Sequence, residues 1–546
     1  MTTIPNVPLV PGEIAPSSSC RGVVDPPALP RRSLLRVSAG FAVLSAAAYS
    51  LSLTKAVVVA RYFGTTNGMD AFAIAVLVPN LLGVLVAGSC ATALIPALAL
   101  AERHSPQERA RTFRAYLILA GGLCILLSLL LALLADPAIA VLASRFDAIR
   151  KAQASSLLRW ASPLLIFNAI CAIGSAELLS RQKYNMVALA PAVSSVASLG
   201  IVVLHKNSGA TVLVYSLLVG TGLQALLLIW PAWRANRVHG RISLWTPAVR
   251  HLLRGQVPLL MASAVGVANV SVDQAIATFL PTGSVSALSY ASTINTLVVQ
   301  MVVMSAAWVA LTELSQLAAM GNTEILVARA RRCIAGSTMV AAPVAVLILV
   351  SGEFLIRTVF QHGAFNQQST HLVFATWAGY TLGLVPFSIG IMAARLINVT
   401  RANYTLVALG AVALPLNGLL DYVLMKKWGC FGISLSTSIV YCVTSTVLYI
   451  YLQKRIGTIL NRSIWRVILG SVLASIGAGG CLWAVVFAIP NEGLGTALGG
   501  LCFAAILMSS YAGFGFVART PFGIVFLPAR SFPETVTPTR MPKAAS

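Results

Sequence analysis

The sequence predicts an all-α polytopic membrane protein of about fourteen transmembrane helices, and three observations predict it. Apolar residues make up 58% of the 546 and charged residues 10%, against roughly 45–50% and 25% in soluble domains. Apolar runs of about 20 residues, long enough to span a hydrocarbon core, recur along almost the whole chain. The basic residues gather in alternate gaps between those runs, as cytoplasmic loops do. A soluble globular enzyme and a disordered chain are both excluded.

The runs are 37–61, 71–99, 114–135, 157–180, 184–204, 210–232, 255–281, 286–317, 332–352, 371–396, 403–424, 430–452, 466–488 and 495–518. Residues 1–36, rich in Pro and Ser, read as a disordered basic cytoplasmic tail. The run that follows is longer than the roughly 7–15 residues of a signal-peptide core, so no cleavage is expected. Residues 37–232 hold six spans and form an N-terminal six-helix bundle. The gap 233–254, with its Trp and Arg residues, reads as a cytoplasmic amphipathic linker on the membrane surface. Residues 255–455 form a C-terminal six-helix bundle, 456–518 two additional transmembrane helices, and 519–546 a second cytoplasmic tail. With the N-terminus inside, 28 of the 38 Lys and Arg residues fall in inside segments and 9 in outside segments, and Lys55 lies within the first span. Both termini are then cytoplasmic. The net charge of +23 is explained by topology and by anionic lipid, so nucleic acid is not an expected partner. The nine Cys include no CxxC pair and read as small buried apolar residues. The second span (68–100) and its counterpart in the second half (283–319) open alike, with Gly, a small polar start and a long apolar run. Such echoes are common in secondary transporters, which bind substrate between two repeats near mid-membrane.

No HExxH, GxSxG or Walker A string occurs, and no segment gathers enough His and carboxylates for a metal site. An enzyme is not expected, nor a bound cofactor. Charges inside spans carry the information, because each is costly in hydrocarbon and tends to face a cavity or a partner. Lys55 follows Ser45, Tyr49 and Ser52 at helical spacing. It either snorkels to the headgroups or lines a cavity for an anionic headgroup. Asp273 shares a face with Gly266 and Asn269, and either bonds a neighbouring helix or binds a counter-ion in a cavity. Ser289, Thr293, Thr296 and Gln300 mark one face of the eighth span, which either joins helices or lines a path for a hydroxyl-rich solute. Asp421, four residues after Asn417, is expected to pair with Lys426 and Lys427 at the interface. Glu177 and Glu313 read as boundary residues. Pro79, Pro96, Pro258, Pro343, Pro386 and Pro415 predict bent spans in both halves.

The string ARYFGTTNGMDAFAIAVLVPNLL (60–82) resembles the start of the MviN/MurJ family of lipid-linked oligosaccharide flippases, within the MOP exporter superfamily. VDQAIATFLPTGSVSALSYASTI (272–294), FQHGAFNQQST (360–370), GYTLGLVPF (379–387) and GCFGISLSTSI (429–439) are similar to further motifs of that family. The resemblance covers about 37–455. It implies a V-shaped pair of six-helix bundles with two extra helices that form a lipid groove. It also implies a bacterial inner-membrane location and transport of an undecaprenyl-pyrophosphate-linked saccharide to the periplasmic leaflet, as peptidoglycan synthesis requires. Asp70 matches the family's entrance Asp, and Asn80 falls within its PNLL string. Lys55 stands where an Arg is usual, whereas Tyr49, Gly83 and Thr293 replace further arginines. Most of the cationic cavity is therefore missing, which points to an exopolysaccharide repeat unit as an alternative cargo to lipid II. The expected substrate-cavity residues are Lys55, Tyr49, Ser52, Asp70, Asn80, Asp273, Asn269, Thr293, Thr296 and Gln300. A coupling cation or the membrane potential is the expected drive, with Asp273 and Asp70 as coupling candidates. Membrane lipids and the lipid-linked oligosaccharide are the expected partners, with cell-envelope glycosyltransferases or polymerases beside them. Two rival readings are a multidrug/cation antiporter of the same superfamily and a non-transporting scaffold of a cell-envelope synthesis complex.

Overall fold

The computed structural model describes residues 31–206, 209–237, 249–250, 269–304, 306–307, 310, 314, 317, 323–399, 403–457, 462–488 and 500–508. No strand occurs among the described residues. Hydrocarbon offers the backbone no hydrogen bonds, so each spanning segment must satisfy its own, and helices do so. In chain order they are α1 (Arg31–Phe63), α2 (Asn67–His104), α3 (Pro106–Leu133), α4 (Ala135–Leu142), α5 (Ala148–Ala161), α6 (Leu164–Ser180), α7 (Tyr184–Leu204) and α8 (Thr211–Ala235). After the helical residues 269–277 come α9 (Ser284–Val299), α10 (Thr323–Phe360), α11 (Gln367–Leu382), α12 (Leu384–Val399), α13 (Asn403–Ile456) and α14 (Arg462–Ala488).

Helix α1 begins at Arg31, so residues 31–36, expected in the tail, are helical. The rest of that tail, the linker residues 238–248 and the C-terminal tail lie outside the described residues. The 54 residues of α13 are enough for two spans of about 20 residues each. It is broken at Gly429, whose φ of 55° and ψ of −133° are not helical. Helices α11 and α12 meet at a bend of 43°. Among the described residues nine helices are long and apolar enough to cross a membrane, or ten if the bent pair is one span. Fourteen remains the expectation of the sequence; runs 255–281 and 495–518 are only partly described.

Small residues bring helices together. Gly379, Gly383 and Gly390 lie against Ser434, Ser438 and Ser445, each pair 55 residues apart, so the two segments run parallel and in step. Ser438 Oγ donates to the Gly379 carbonyl at 2.6 Å and Ser445 Oγ to the Pro386 carbonyl at 2.7 Å. A Cβ on Gly379 would lie 2.0 Å from Ser434 Oγ. The first half repeats the device: a Cβ on Gly220 would lie 2.3 Å from Ser198 Oγ, which itself donates to the Ser216 carbonyl at 2.8 Å. Small-residue seams of this kind substitute for the hydrophobic drive that lipid does not supply.

Helices α1–α8 pack chiefly on one another, as do α9–α14, and the two sets meet where α1 and α2 touch α9 and α10. The largest buried cluster straddles that meeting and includes Phe63, Met69 and Ile74 from one side and Leu288, Tyr290, Phe360 and Phe365 from the other.

Candidate functional site

Helix α2 is capped by Thr66, whose side chain accepts from Met69 N–H. The next residue, Asp70, is buried, with 1% of its surface exposed. Its carboxylate reaches across to the other half: Oδ2 accepts from Gly283 N–H at 2.7 Å and Oδ1 from Ser286 N–H at 2.8 Å. Gly283 holds φ at 91°, a conformation that glycine adopts without strain. The N-termini of α2 and α9 therefore converge on one carboxylate, which answers the positive ends of both helix dipoles. These are the two spans whose openings echo each other in sequence.

The chain around Asp70 is clamped on both sides. Tyr290 Oη donates to the Gly64 carbonyl at 3.2 Å, and Ala364 N–H donates to the Arg61 carbonyl at 2.8 Å. Thr65 Oγ1 and Ser369 Oγ are 2.8 Å apart. Added Cβ atoms on Gly64 and Gly363 would each lie 2.4 Å from a backbone carbonyl oxygen of the facing loop. Residues 61–70 are thus seated between the start of α9 and the loop 361–366. The charge bias of the sequence predicts this to be the outer end.

The other expected residues lie away from that end. Lys55 lies six residues before Arg61, about 9 Å along the axis of α1; it is half-buried and makes no ion pair or hydrogen bond among the described residues. Tyr49 is 40% exposed and Ser52 half-buried. Asn80 is exposed and lines a cavity of about 370 Å³ between α2 and α6, with Gly83, Asn168, Cys171 and Ser175. Thr296 borders a second cavity of about 120 Å³ in the other half, with Asn295, Tyr380 and Tyr441. Thr293 spends its hydroxyl proton on the Ser289 carbonyl of its own helix, at 2.8 Å. Gln300 opens a π-helical turn, Gln300–Met304, a feature frequent at functional sites. Asn269 Oδ1 is buried with no partner among the described residues.

Asp273 is not on the surface of either cavity. It is 5% exposed, accepts from Asn417 Nδ2 at 2.6 Å and from Thr437 Oγ1 at 3.2 Å, and is in hydrogen-bonding contact with Asp421. Asp421 corrects the sequence reading. Its side chain is fully buried and bonds to Asn417 Nδ2, at 2.9 Å, and to Ser436 Oγ. Lys426 and Lys427, its expected partners, instead lie over the rings of Tyr422 and Trp428. Five residues from three helical segments thus build a polar knot that contains two carboxylates. Two adjacent negative charges are not held in such a place without compensation. Carboxylate oxygens brought together in this way suit a proton or a hard cation.

A family model described as lipid II flippase MurJ matches residues 59–497. The chain belongs to the MurJ family. It is 25% identical to the lipid II flippase MurJ of Burkholderia cenocepacia over 442 residues, covering 78% of this chain and 84% of the relative. It is 26% identical to a probable lipid II flippase MurJ of Bdellovibrio bacteriovorus over 459 residues, covering 82% and 87%. A solved MurJ in an inward closed conformation superposes with a TM-score of 0.77 at 22% identity, over 87% of this chain and 99% of that one. An inward-facing multidrug MATE transporter of the MOP superfamily follows at 0.62 and 16%, over 76% and 94%. MurJ proteins are multi-pass membrane transporters, not enzymes.

For this MurJ-family chain the sequence missed Asn168, Tyr380 and Thr437, whose neighbours in space are distant in sequence. Glu177, read as a boundary residue, is fully buried and takes Arg109, Arg181 and Asn236 as partners, at 3.0, 2.5 and 2.8 Å. Glu313 lies outside the described residues. The one legible signal for the carboxylate knot was Asn417 and Asp421 at a spacing of four within an apolar run.

Proposed function

We propose that this MurJ-family protein moves an undecaprenyl-pyrophosphate-linked saccharide from the cytoplasmic to the periplasmic leaflet by alternating access. Asp70 carries the reading: one buried carboxylate ties the starts of two helices from opposite halves through hydrogen bonds that can break without unfolding either half. The lipid tail stays in the bilayer while the saccharide passes between the halves. Lipid II is the first candidate cargo, from the names of the relatives. An exopolysaccharide repeat unit is the second, favoured by the single lysine, Lys55, that remains on the α1–α2 side of the crevice. The chain has no nucleotide-binding string, so a cation gradient or the membrane potential drives the cycle. One charge moving inward supplies about 2.3 kcal/mol per 100 mV. The knot of Asp273, Asn417, Asp421 and Thr437 takes up the coupling proton or monovalent cation.

Reconstitution tests this directly. Proteoliposomes loaded with lipid II should present its saccharide to a soluble enzyme at the far face faster than protein-free vesicles do, and a cation gradient should change the rate. Asp273→Asn with Asp421→Asn should remove the gradient dependence while the protein still elutes as a folded species. Equal rates with and without protein would defeat the transport reading. Retained gradient dependence in the double variant would defeat the coupling site. Rescue of a strain depleted of its own lipid II flippase separates the two cargoes.

A further inference from the structure

The cavity between α2 and α6 belongs neither to the closed end nor to the carboxylate knot. At about 370 Å³ it falls within the roughly 300–1,000 Å³ of small-ligand sites. It opens on the face of α2 that Asp70 begins: Leu77 and Val84 follow Asp70 by seven and fourteen residues, Asn80 by ten, and Val84 is 57% exposed. The cavity is open on this face, and Asn80 and Val84 at its rim are exposed.

Among the described residues no charged side chain lines it. Its polar groups are two carboxamides, Asn80 and Asn168, and the hydroxyl of Ser175. Neither carboxamide makes a side-chain hydrogen bond among the described residues. Each both donates and accepts, which suits sugar hydroxyl and acetamido groups. A phosphate there would be left without a counter-charge, a costly arrangement away from water.

Gly83 fixes this chemistry. A Cβ on residue 83 would lie 2.7 Å from Asn168 Nδ2, 2.9 Å from its Cβ and 3.0 Å from its Cγ. Asn168 is seated directly over the Gly83 backbone, so a side chain at 83 and Asn168 in its present place exclude each other.

We infer that this cavity is a saccharide subsite, in which Asn80, Asn168 and Ser175 bind the neutral sugar of the lipid-linked cargo and Asn168, seated over Gly83, sets the preference for sugar over pyrophosphate. The site deepens the flippase reading and rests on it for the presence of a lipid-linked saccharide. The test uses full-length protein and two probes, lipid II and bare undecaprenyl pyrophosphate, with dissociation constants read by native mass spectrometry. The wild type should prefer the saccharide-bearing lipid by about tenfold. Asn168→Ala should cut that preference to about twofold or less, leaving bare-lipid affinity unchanged, which also reports that the variant is folded. Ser175→Ala should give a smaller loss, about the worth of one neutral hydrogen bond. Gly83→Ala should behave like Asn168→Ala. A wild type without preference, variants that keep it, or an equal loss for both probes would each overturn the subsite. A wild type that shows the preference but moves no lipid in proteoliposomes supports the subsite and removes the flippase reading instead.

Discussion

Asp70 answers two helix ends with one side chain, and the cost of losing it is correspondingly specific. Its removal leaves the Gly283 and Ser286 N–H groups buried without acceptors, at about 1–3 kcal/mol each, and only while the two halves are joined at this end. Asp70→Ala should therefore raise the labelling rate of a single cysteine at position 369 by a membrane-impermeant maleimide, with Asp70→Asn intermediate. An unchanged rate would mean that the carboxylate does not hold this end shut. Glu177 is different in kind. It is fully buried among Arg109, Arg181 and Asn236, and Arg109 is itself 3% exposed. Breaking a buried ion network by removing one partner costs about 3–5 kcal/mol. Glu177→Ala should lower the thermal unfolding midpoint in detergent, more than Glu177→Gln does. The contiguous motif around Asp70 singled it out in the sequence, but as a cavity and coupling residue and not as a tie between two helix ends. The role of Glu177 was not legible, since Asn236 and Arg109 lie 59 and 68 residues away and nothing local marks them.

Helix packing here depends on glycines that admit a serine, and this makes the seam sensitive to a single methyl group. Gly379→Ala sets a Cβ against Ser434 Oγ and 3.0 Å from the Phe431 carbonyl oxygen. Overpacking of this size costs about 1–3 kcal/mol. The variant should unfold at a lower temperature, and Ser434→Gly in the same chain should recover much of the loss; no recovery would place the strain elsewhere. Span positions were largely readable because apolar length alone marks them: the run 184–204 coincides with α7, and the gap between 403–424 and 430–452 contains Gly429, where α13 breaks. The bend between α11 and α12 was hidden inside one continuous apolar run, with Pro386 its only trace. The seam itself was unreadable, because hydropathy does not record which serine faces which glycine 55 residues on.

At the scale of the whole molecule, the two sets of helices are joined, among the described residues, mainly at one end, and that asymmetry makes the transport cycle testable. The halves share a buried apolar cluster and the Asp70, Gly64 and Arg61 contacts around residues 61–70. Beyond it, Tyr49, Asn80 and Val84 are exposed on the facing helices. If cargo leaves by that joined end, the joint must part in every cycle. Thr65 and Ser369 bring their hydroxyl oxygens to 2.8 Å across it, close enough for a bond of about 2.05 Å between sulfurs after small adjustment. In a chain whose native cysteines are replaced, Thr65→Cys with Ser369→Cys should cross-link under mild oxidation and lose nearly all translocation in proteoliposomes. Reductant should restore it, and either single cysteine should transport like the parent. Full transport by the cross-linked protein would show that the joint need not open, and the cargo would then have to cross by a route that leaves the two halves fastened together.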